Sequence, residues 1–174
     1  MEKTIWFDMD GTLFDLYGVD EWLEKLRAND STPYRDALPL IRFSHLARLL
    51  NALQRKGYRI GVISWLSKCG TPEYNLEVTT VKMEVLKKRL PSVAWNEVHI
   101  VPYGTEKSNF AKAEDILFDD EMHNRMEWAN AGGIALDEKN ILNILKILLD
   151  ISAEVWYNIR EVRGTPNPLT NTES

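Results

Sequence analysis

The segment Ile5-Trp6-Phe7-Asp8-Met9-Asp10-Gly11-Thr12-Leu13-Phe14 is the most informative part of this sequence, because apolar residues typical of a strand lead there directly into two carboxylates. A strand is extended, so Asp8 and Asp10 can converge on one ligand only if the chain curls into a loop at this point. Gly11 permits such a curl, since it has no side chain to restrict its backbone. The segment therefore predicts a strand over residues 4–8 that ends in an acidic loop.

The two carboxylates of this loop indicate a cation site. Carboxylates held this close repel one another unless a positive charge lies between them. Hard divalent cations such as Mg2+ prefer oxygen ligands of this kind, and they also bind phosphate oxygens. The pattern thus points to a metal and phosphate site in which one carboxylate is free to attack. An ordinary polar turn after a strand is the alternative that the pattern alone leaves open.

Length, composition and charge limit the classes of function. The chain has 174 residues, of which 44% are hydrophobic and 27% are charged, as in an ordinary globular protein of one domain. The net charge of −5 argues against a broad surface for nucleic acids or anionic membranes, because such surfaces need clustered Lys and Arg. A small phosphorylated substrate remains compatible with this charge. We expect residues 1–163 to form a single domain and residues 164–174 to be a disordered tail.

Cysteine content and hydropathy bear on the compartment. Cys69 is the single cysteine and cannot form an internal disulfide, which favours a reducing compartment. No apolar run of the sequence reaches the length of a membrane span, and the N-terminus lacks the basic and then apolar layout of a signal peptide. The expected location is the cytoplasm.

Strand and helix patterns alternate along the chain. Strands are predicted over residues 4–8, 58–64, 97–102, 115–119 and 134–136. Helices are predicted over residues 18–28, 44–56, 76–90, 107–113 and 121–131 and from 138 to about 162, with loops or irregular segments over 29–33 and 39–43. Ser44 is expected to cap the second of these helices and Gly57 to end it. This alternation implies an α/β fold in which helices cover both faces of a parallel sheet.

Polar side chains follow three of the predicted strands, at the point where each strand ends. Asp8 and Asp10 follow the first strand, Ser64 ends the second, and the Asp119-Asp120 pair follows the fourth. Ligands of open parallel sheets bind beyond the carboxyl ends of the strands. The sequence therefore predicts that these side chains meet in one crevice.

In this order and these contexts, the residues resemble the haloacid dehalogenase superfamily in its phosphatase branch. The resemblance covers roughly residues 4–137 and includes four motifs, which are Asp8-Met9-Asp10-Gly11-Thr12, Ser64 after Ile60-Gly61-Val62-Ile63, a lysine ahead of the fourth strand, and Asp119-Asp120. Lys107 is the candidate for the lysine, with Lys112 and Lys68 as rivals. The resemblance implies a Rossmann-like fold with a central five-stranded parallel sheet flanked by helices.

The resemblance also implies a role for each motif residue. Asp8 would be the nucleophile that forms an aspartyl-phosphate, and Asp10 would protonate the leaving oxygen and then activate water. Ser64 and Lys107 would bind the phosphoryl oxygens. Mg2+ would be held by Asp8, the backbone carbonyl of Asp10, Asp119 and, directly or through water, Asp120. Thr12 and Trp65 join Ser64 and Lys107 as the expected substrate-binding residues.

The implied function is a Mg2+-dependent phosphomonoester hydrolase. The competing hypothesis is a non-catalytic member that kept the fold as a binding or regulatory domain. Dehalogenase chemistry is disfavoured, because the second aspartate of the first motif marks the phosphatase branch.

Substrate choice would depend on a small cap, for which residues 16–43 leave room for little more than one helix and a loop. The chain is loosely similar here to the 5'-deoxyribonucleotidase group, although that group has a larger cap. Four aromatic residues near the expected mouth are suited to stack a base, namely Tyr17, Trp22, Trp65 and Tyr103. For this reason nucleoside monophosphates are the first hypothesis, ahead of sugar phosphates and nucleic-acid ends.

Overall fold

Strands and helices alternate along the part of the chain that the structure, a computed structural model, describes, which is residues 3–150. The strands are β1 (Thr4–Phe7), β2 (Phe14–Asp15), β3 (Leu38–Pro39), β4 (Arg59–Trp65), β5 (Glu97–Val101), β6 (Ile116–Phe118) and β7 (Ile134–Leu136). The α-helices are α1 (Trp22–Arg27), α2 (Thr32–Asp36), α3 (Phe43–Arg55), α4 (Pro72–Arg89), α5 (Met122–Asn130) and α6 (Ile141–Asp150). Short 3-10 helices lie at Lys107–Phe110 and Glu138–Asn140.

The central sheet has five parallel strands in the order β5-β4-β1-β6-β7. All four residues of β1 are buried, as expected of a middle strand with both faces covered. The register pairs Phe7 with Val62 of β4 on one side and with Phe118 of β6 on the other. The predicted Rossmann-like α/β fold with its five-stranded parallel sheet is thus confirmed.

Alternate residues of β1 contribute to two separate hydrophobic clusters, because successive side chains point to opposite faces. Ile5 and Phe7 belong to the main core, which includes leucines of α3 and α6. Trp6 lies on the other face and packs with Trp128 of α5. A Cβ atom at Gly61 would lie 2.4 Å from the Trp6 ring, so this strand position must be glycine for the indole to fit.

The helix boundaries differ from the prediction where local hydrogen bonds outweigh residue type. Helix α4 begins at Pro72 rather than at residue 76, because Thr71 accepts a hydrogen bond from the Tyr74 backbone N–H. Ser44 does not cap α3, which already begins at Phe43 with no side-chain cap. Gly57 does follow α3, with a φ of 92° that suits glycine.

The segment between the acidic loop and α3 contains more regular structure than predicted. Helix α1 covers only six of the residues predicted as helical over 18–28. The predicted loop over 29–33 runs into α2, whose start is held by the Asp30 carboxylate accepting from the Thr32 backbone N–H at 2.8 Å. Strand β3 pairs antiparallel with β2, where the prediction had an irregular stretch from residue 39. A hydrogen-bonded ribbon therefore ties the two ends of this segment together.

The last predicted helix, over 138–162, begins as a 3-10 turn and continues as α6 to Asp150. Its remainder and the expected tail over 164–174 lie outside the described residues. Within residues 3–150, no helix is both long enough and apolar enough to cross a bilayer.

Candidate active site

The candidate site lies at the carboxyl ends of β1, β4 and β6. Because Phe7 and Phe118 pair across β1 and β6, the residues that follow them, Asp8 and Asp119, lie side by side. The Asp8 backbone N–H donates to the Phe118 carbonyl at 2.9 Å and extends this pairing by one step. The register of the sheet thus brings the first and fourth motifs together, although more than a hundred residues separate them in sequence.

A tight turn at Gly11 shapes the acidic loop. Gly11 has a φ of 81°, and its N–H donates to the Phe14 carbonyl at 2.8 Å. A Cβ atom at this position would lie 2.4 Å from a carboxylate oxygen of Asp120. Glycine is therefore needed both for the turn and for the close approach of Asp120.

Three carboxylates form the acidic core of the site. Asp8, Asp119 and Asp120 each offer an oxygen atom, and these oxygens lie within 4.8 Å of one another. Lys107 lies between two of them, with its Nζ 2.7 Å from Asp8 Oδ1 and 2.7 Å from Asp119 Oδ2. Lys107 is 2% exposed and Asp119 is fully buried, and Asp8 is also buried, whereas Asp120 is partly exposed.

Burial and mutual repulsion perturb the protonation of these groups. Burial is the main cause that raises the pKa of Asp8 to about 7, with Lys107 opposing it and Asp119 reinforcing it. Burial, reinforced by Asp119, raises the pKa of Asp120 to about 6. For Lys107, burial acts to lower the pKa, but Asp8 and Asp119 outweigh it, so its pKa is raised and its ammonium group stays charged. The cluster therefore holds more negative charge than one lysine can balance.

This donor set fits a hard divalent cation. Carboxylate oxygens are the ligands that Mg2+ prefers, and a second positive charge would offset the burial and the mutual repulsion that raise the two carboxyl pKa values. The neighbouring groups already fix the orientation of Asp119, whose oxygens accept from Asn124 Nδ2 at 3.2 Å and from the Glu121 backbone N–H at 2.9 Å. Arg125 Nη1 donates to the backbone carbonyls of Asp119 and Asp120.

The side chain of Asp10 lies apart from this cluster. Its Oδ2 accepts from Lys82 Nζ at 2.5 Å, and the Asp10 carboxylate is not among the three whose oxygens converge. Only the backbone carbonyl that the resemblance implied would link Asp10 to a metal. In this arrangement, the carboxylate of Asp10 is therefore not a candidate metal ligand.

Lys82 is the site residue that sequence reasoning missed. It lies in α4, is 1% exposed, and also donates to Ser64 Oγ at 2.9 Å and to the Trp65 carbonyl at 2.7 Å. A signal was present, because Lys82 shares the helix with the buried apolar residues Val78, Val81 and Val85. A lysine at a buried helix position is rare unless it has a partner.

Of the other three residues expected to bind substrate, one lines the cavity and two are buried beside it. Ser64 is fully buried at the end of β4. Trp65 lines the cavity, donates from its indole to the Thr105 carbonyl at 2.8 Å, and has Lys107 Nζ 5.1 Å from its ring centre. Thr12 is buried and exchanges hydrogen bonds with Asp120 at 3.1 and 3.2 Å. The structure places Thr12 against Asp120, and neither Thr12 nor Ser64 is among the residues of the cavity wall, so their contact with substrate stays a prediction.

The three candidate lysines of the third motif also differ in position. Lys107 contacts two carboxylates of the cluster, whereas Lys112 is exposed and is not among the residues of the cavity wall. Lys68 lines the mouth of the cavity with its Nζ 5.6 Å from the centre of the Tyr103 ring. These positions favour Lys107, and they leave Lys68 as a cation at the entrance.

A cavity of about 630 Å3 opens onto the acidic cluster. Its wall includes two aromatic pairs, one from the segment after the acidic loop and one from the end of β4 and the loop after β5. Tyr17 and Trp22 have ring centres 5.1 Å apart, and Trp65 and Tyr103 have ring centres 5.0 Å apart. Leu23, Leu26 and Arg27 of α1 complete the wall on the side of the expected cap. The segment over 16–43 therefore contributes directly to the cavity.

Comparison with known proteins gives likeness in fold alone. No model of a known protein family matches the chain, and no curated protein matches it. Among solved structures, D,D-heptose 1,7-bisphosphate phosphatase from B. bronchiseptica, determined with magnesium and phosphate, is similar with a TM-score of 0.53 at 12% identity, over 76% of this chain and 78% of that one. The corresponding enzyme from Burkholderia thailandensis has a TM-score of 0.46 at 11% identity, over 76% and 75%. The likeness to the former supports the fold implied by the haloacid dehalogenase resemblance.

Proposed function

We propose that this protein is a Mg2+-dependent phosphomonoester hydrolase. The observation that carries the proposal is the convergence of Asp8, Asp119 and Asp120 around Lys107 at the carboxyl edge of the parallel sheet. A phosphate dianion cannot approach a carboxylate nucleophile unless positive charge offsets their repulsion. Lys107 supplies one such charge, and the three converging carboxylates are suited to hold a second. A fold shared with a phosphatase determined with magnesium and phosphate is consistent with this arrangement.

The residues suggest a reaction in two steps. In the first, Asp8 attacks phosphorus, a bond forms between its oxygen and phosphorus, and the bond from phosphorus to the ester oxygen breaks while Asp10 gives that oxygen a proton. In the second, Asp10 takes a proton from water, which attacks the same phosphorus and releases phosphate and the free Asp8 carboxylate. Bound Mg2+ would neutralise phosphoryl charge throughout. Lys107 would hold Asp8 in place and bind a phosphoryl oxygen.

A simple assay separates this proposal from the non-catalytic alternative. The full chain is incubated with p-nitrophenyl phosphate and Mg2+, with excess EDTA as the comparison and the Asp8→Asn variant as the matched control. Phosphate release that requires both Mg2+ and Asp8 supports the hydrolase. A folded wild-type protein that binds Mg2+ but releases no phosphate from a broad panel of phosphomonoesters would support the binding or regulatory domain instead.

Nucleoside monophosphates are the substrates that the cavity supports best within this proposal. Two aromatic pairs flank the approach to Asp8, and stacking of one base on an aromatic side chain is worth about 1–3 kcal/mol. Trp22 is the cleaner probe of stacking, because Trp65 also contacts the Lys107 ammonium group.

The substrate proposal can be tested with Trp22→Ala and two classes of substrate. If a base stacks here, the variant should lose about tenfold in kcat/KM for nucleoside monophosphates and less than about twofold for sugar phosphates. Trp65→Ala serves as the comparison and should lose activity on both classes. Equal losses for both classes in Trp22→Ala would show that Trp22 only packs, and the nucleotide proposal would then be abandoned.

A further inference from the structure

Lys82 makes a second lysine centre that the proposed reaction has not yet used. Its three ammonium hydrogens match three oxygen acceptors, which are Asp10 Oδ2 at 2.5 Å, Ser64 Oγ at 2.9 Å and the Trp65 carbonyl at 2.7 Å. The face of the Tyr34 ring lies 4.6 Å from the same nitrogen. The ammonium group is therefore surrounded by three hydrogen-bond acceptors and the face of one aromatic ring.

The surroundings show that this lysine is not present for solubility. Lys82 is 1% exposed and shares its face of α4 with Val78, Val81 and Val85, which are at most 7% exposed. A buried charge is costly unless it is paired and hydrogen-bonded. An apolar side chain would avoid the cost of burying a charge here, but it would leave Asp10 and Ser64 without their donor. Its presence therefore has to be explained by the groups that it contacts.

The contact with Asp10 keeps that carboxylate away from the other three. Asp10 follows Asp8 by two residues, yet its carboxylate contacts Lys82, whereas Asp8 contacts Lys107. The ion pair fixes one oxygen of Asp10, so the other oxygen is the one that can face a leaving group above Asp8. Without Lys82, the mutual repulsion of four carboxylates or the attraction of a bound cation would set the position of Asp10.

We propose that Lys82 is a positioning residue that holds the Asp10 carboxylate in place for proton transfer to the leaving oxygen and from the attacking water. This inference rests on the proposed hydrolase function. In this role Lys82 does not touch the phosphoryl group, and it acts through Asp10 and through Ser64. It ties α4, which packs against α2 of the cap segment, to the acidic loop.

A substrate pair that differs in its leaving group tests this role. p-Nitrophenyl phosphate releases p-nitrophenolate, a good leaving group that departs with little help from a proton. Glycerol phosphate releases an alcohol, and its oxygen must be protonated as the bond to phosphorus breaks. In Lys82→Met, kcat/KM should fall for glycerol phosphate at least about tenfold more than for p-nitrophenyl phosphate. Lys88→Met is the matched control, because Lys88 lies on the exposed face of the same helix, and it should change neither value.

A double variant shows whether Lys82 works through Asp10. Asp10→Asn alone should show the same selectivity for the leaving group with a larger loss. Asp10→Asn combined with Lys82→Met should be little worse than Asp10→Asn, because one route has already been removed. Losses that are equal for both substrates and that multiply in the double variant would overturn the proposal, since they indicate direct phosphate binding or a general packing effect.

Structural measurements keep the inference separate from the hydrolase proposal. Crystal structures of the wild type and of Lys82→Met should show the Asp10 carboxylate displaced in the variant, with Asp8 unchanged. An unmoved Asp10 would refute the positioning role even if the protein is an active hydrolase. If the wild type releases no phosphate, the hydrolase proposal fails and the proton-transfer role fails with it, while the crystal comparison still decides whether Lys82 positions Asp10.

If Lys82→Met does not fold, Lys82→Arg keeps the charge, and it should retain the wild-type ratio of kcat/KM between the two substrates.

Discussion

The two buried lysines of the site hold different halves of the candidate machinery. Lys107 joins Asp8 to Asp119 at the ends of two neighbouring strands, where charge on the phosphoryl group would be neutralised. Lys82 joins Asp10 to Ser64 from a helix, where a proton would be moved. The backbone of the acidic loop separates these two centres by only two residues. Two different lysines therefore contact the two carboxylates of one short loop, and under the proposed function each carboxylate would have a different role.

The two centres should also respond differently to metal. The three converging carboxylates lie on the Lys107 side, and the Asp10 carboxylate is not among them. We therefore expect bound Mg2+ to substitute in part for the charge of Lys107 but not for that of Lys82. The predictions that follow use this difference, in order of decreasing expected effect.

Asp8→Asn should have the largest effect on activity, because it removes the nucleophile and keeps the shape of the side chain. Turnover of p-nitrophenyl phosphate should fall by about 10⁴-fold or more. Circular dichroism and thermal unfolding should show a folded protein, and the metal-free variant should be no less stable than the wild type because one buried carboxylate has been neutralised. Residual activity within tenfold of the wild type would mean that Asp8 is not the nucleophile.

Lys107→Met should destabilise the metal-free protein by about 3–5 kcal/mol, because it leaves the buried carboxylates of Asp8 and Asp119 without their cation. Lys82→Met should destabilise it less, because the Asp10 carboxylate is 19% exposed and water can solvate it in part. Urea unfolding measures this loss. Saturating Mg2+ should restore much of the stability of Lys107→Met and little more than the wild-type gain for Lys82→Met. Equal recovery of the two variants would contradict the division of the site into two centres.

The free energy of unfolding should depend on pH through the carboxyl groups near Lys107, because their pKa values are raised in the folded state. The folded-state pKa values of Asp8 and Asp120, about 7 and about 6, lie above the ordinary value of 3.8. Between about pH 4 and 7 these groups bind more protons in the folded state than in the unfolded state, so they lower the free energy of unfolding as pH rises. The metal-free wild type should therefore lose more stability over this range than Asp8→Asn does.

Mg2+ reverses this trend, because it must displace the protons that the cluster holds at low pH. The increase in thermal midpoint on adding Mg2+ should be larger at pH 8 than at pH 5. At a concentration 100 times the dissociation constant, the metal adds about 2.7 kcal/mol. A gain in stability that does not vary with pH would show that the cation binds elsewhere.

The same comparison explains how much could be predicted from the sequence. The Lys107 centre lies at the ends of buried strands, so apolar runs followed by Asp8 and by Asp119-Asp120 were visible in the sequence, and parallel pairing then required them to meet. The family resemblance makes Lys107 the candidate for the lysine ahead of the fourth strand, with Lys112 and Lys68 as rivals. The structure shows that Lys107 contacts Asp8 and Asp119, which sequence alone could not show, because the segment that carries it is a 3-10 turn with little pattern.

Lys82 could not be identified in the same way because helical periodicity does not show what a buried charge contacts. Lys87 and Lys88 of the same helix are exposed, whereas the spacing of Lys82 with Val78, Val81 and Val85 indicates a buried position but not the groups that the ammonium contacts. Its partners lie 72 and 18 residues away in sequence. The small ribbon of β2 and β3 was missed for a related reason, since two-residue strands form through tertiary pairing and leave no alternation to detect.

Trapping of the phosphorylated protein would test the central claim most directly. Asp10→Asn is mixed with substrate labelled at phosphorus in the presence of Mg2+, quenched in acid, reduced with borohydride and digested for mass spectrometry. The account predicts that one phosphoryl group per chain is transferred to Asp8, that the label is absent in EDTA, and that Asp8→Asn takes up none. Label on any other residue, or phosphate release by the wild type with no transfer to Asp8, would contradict it.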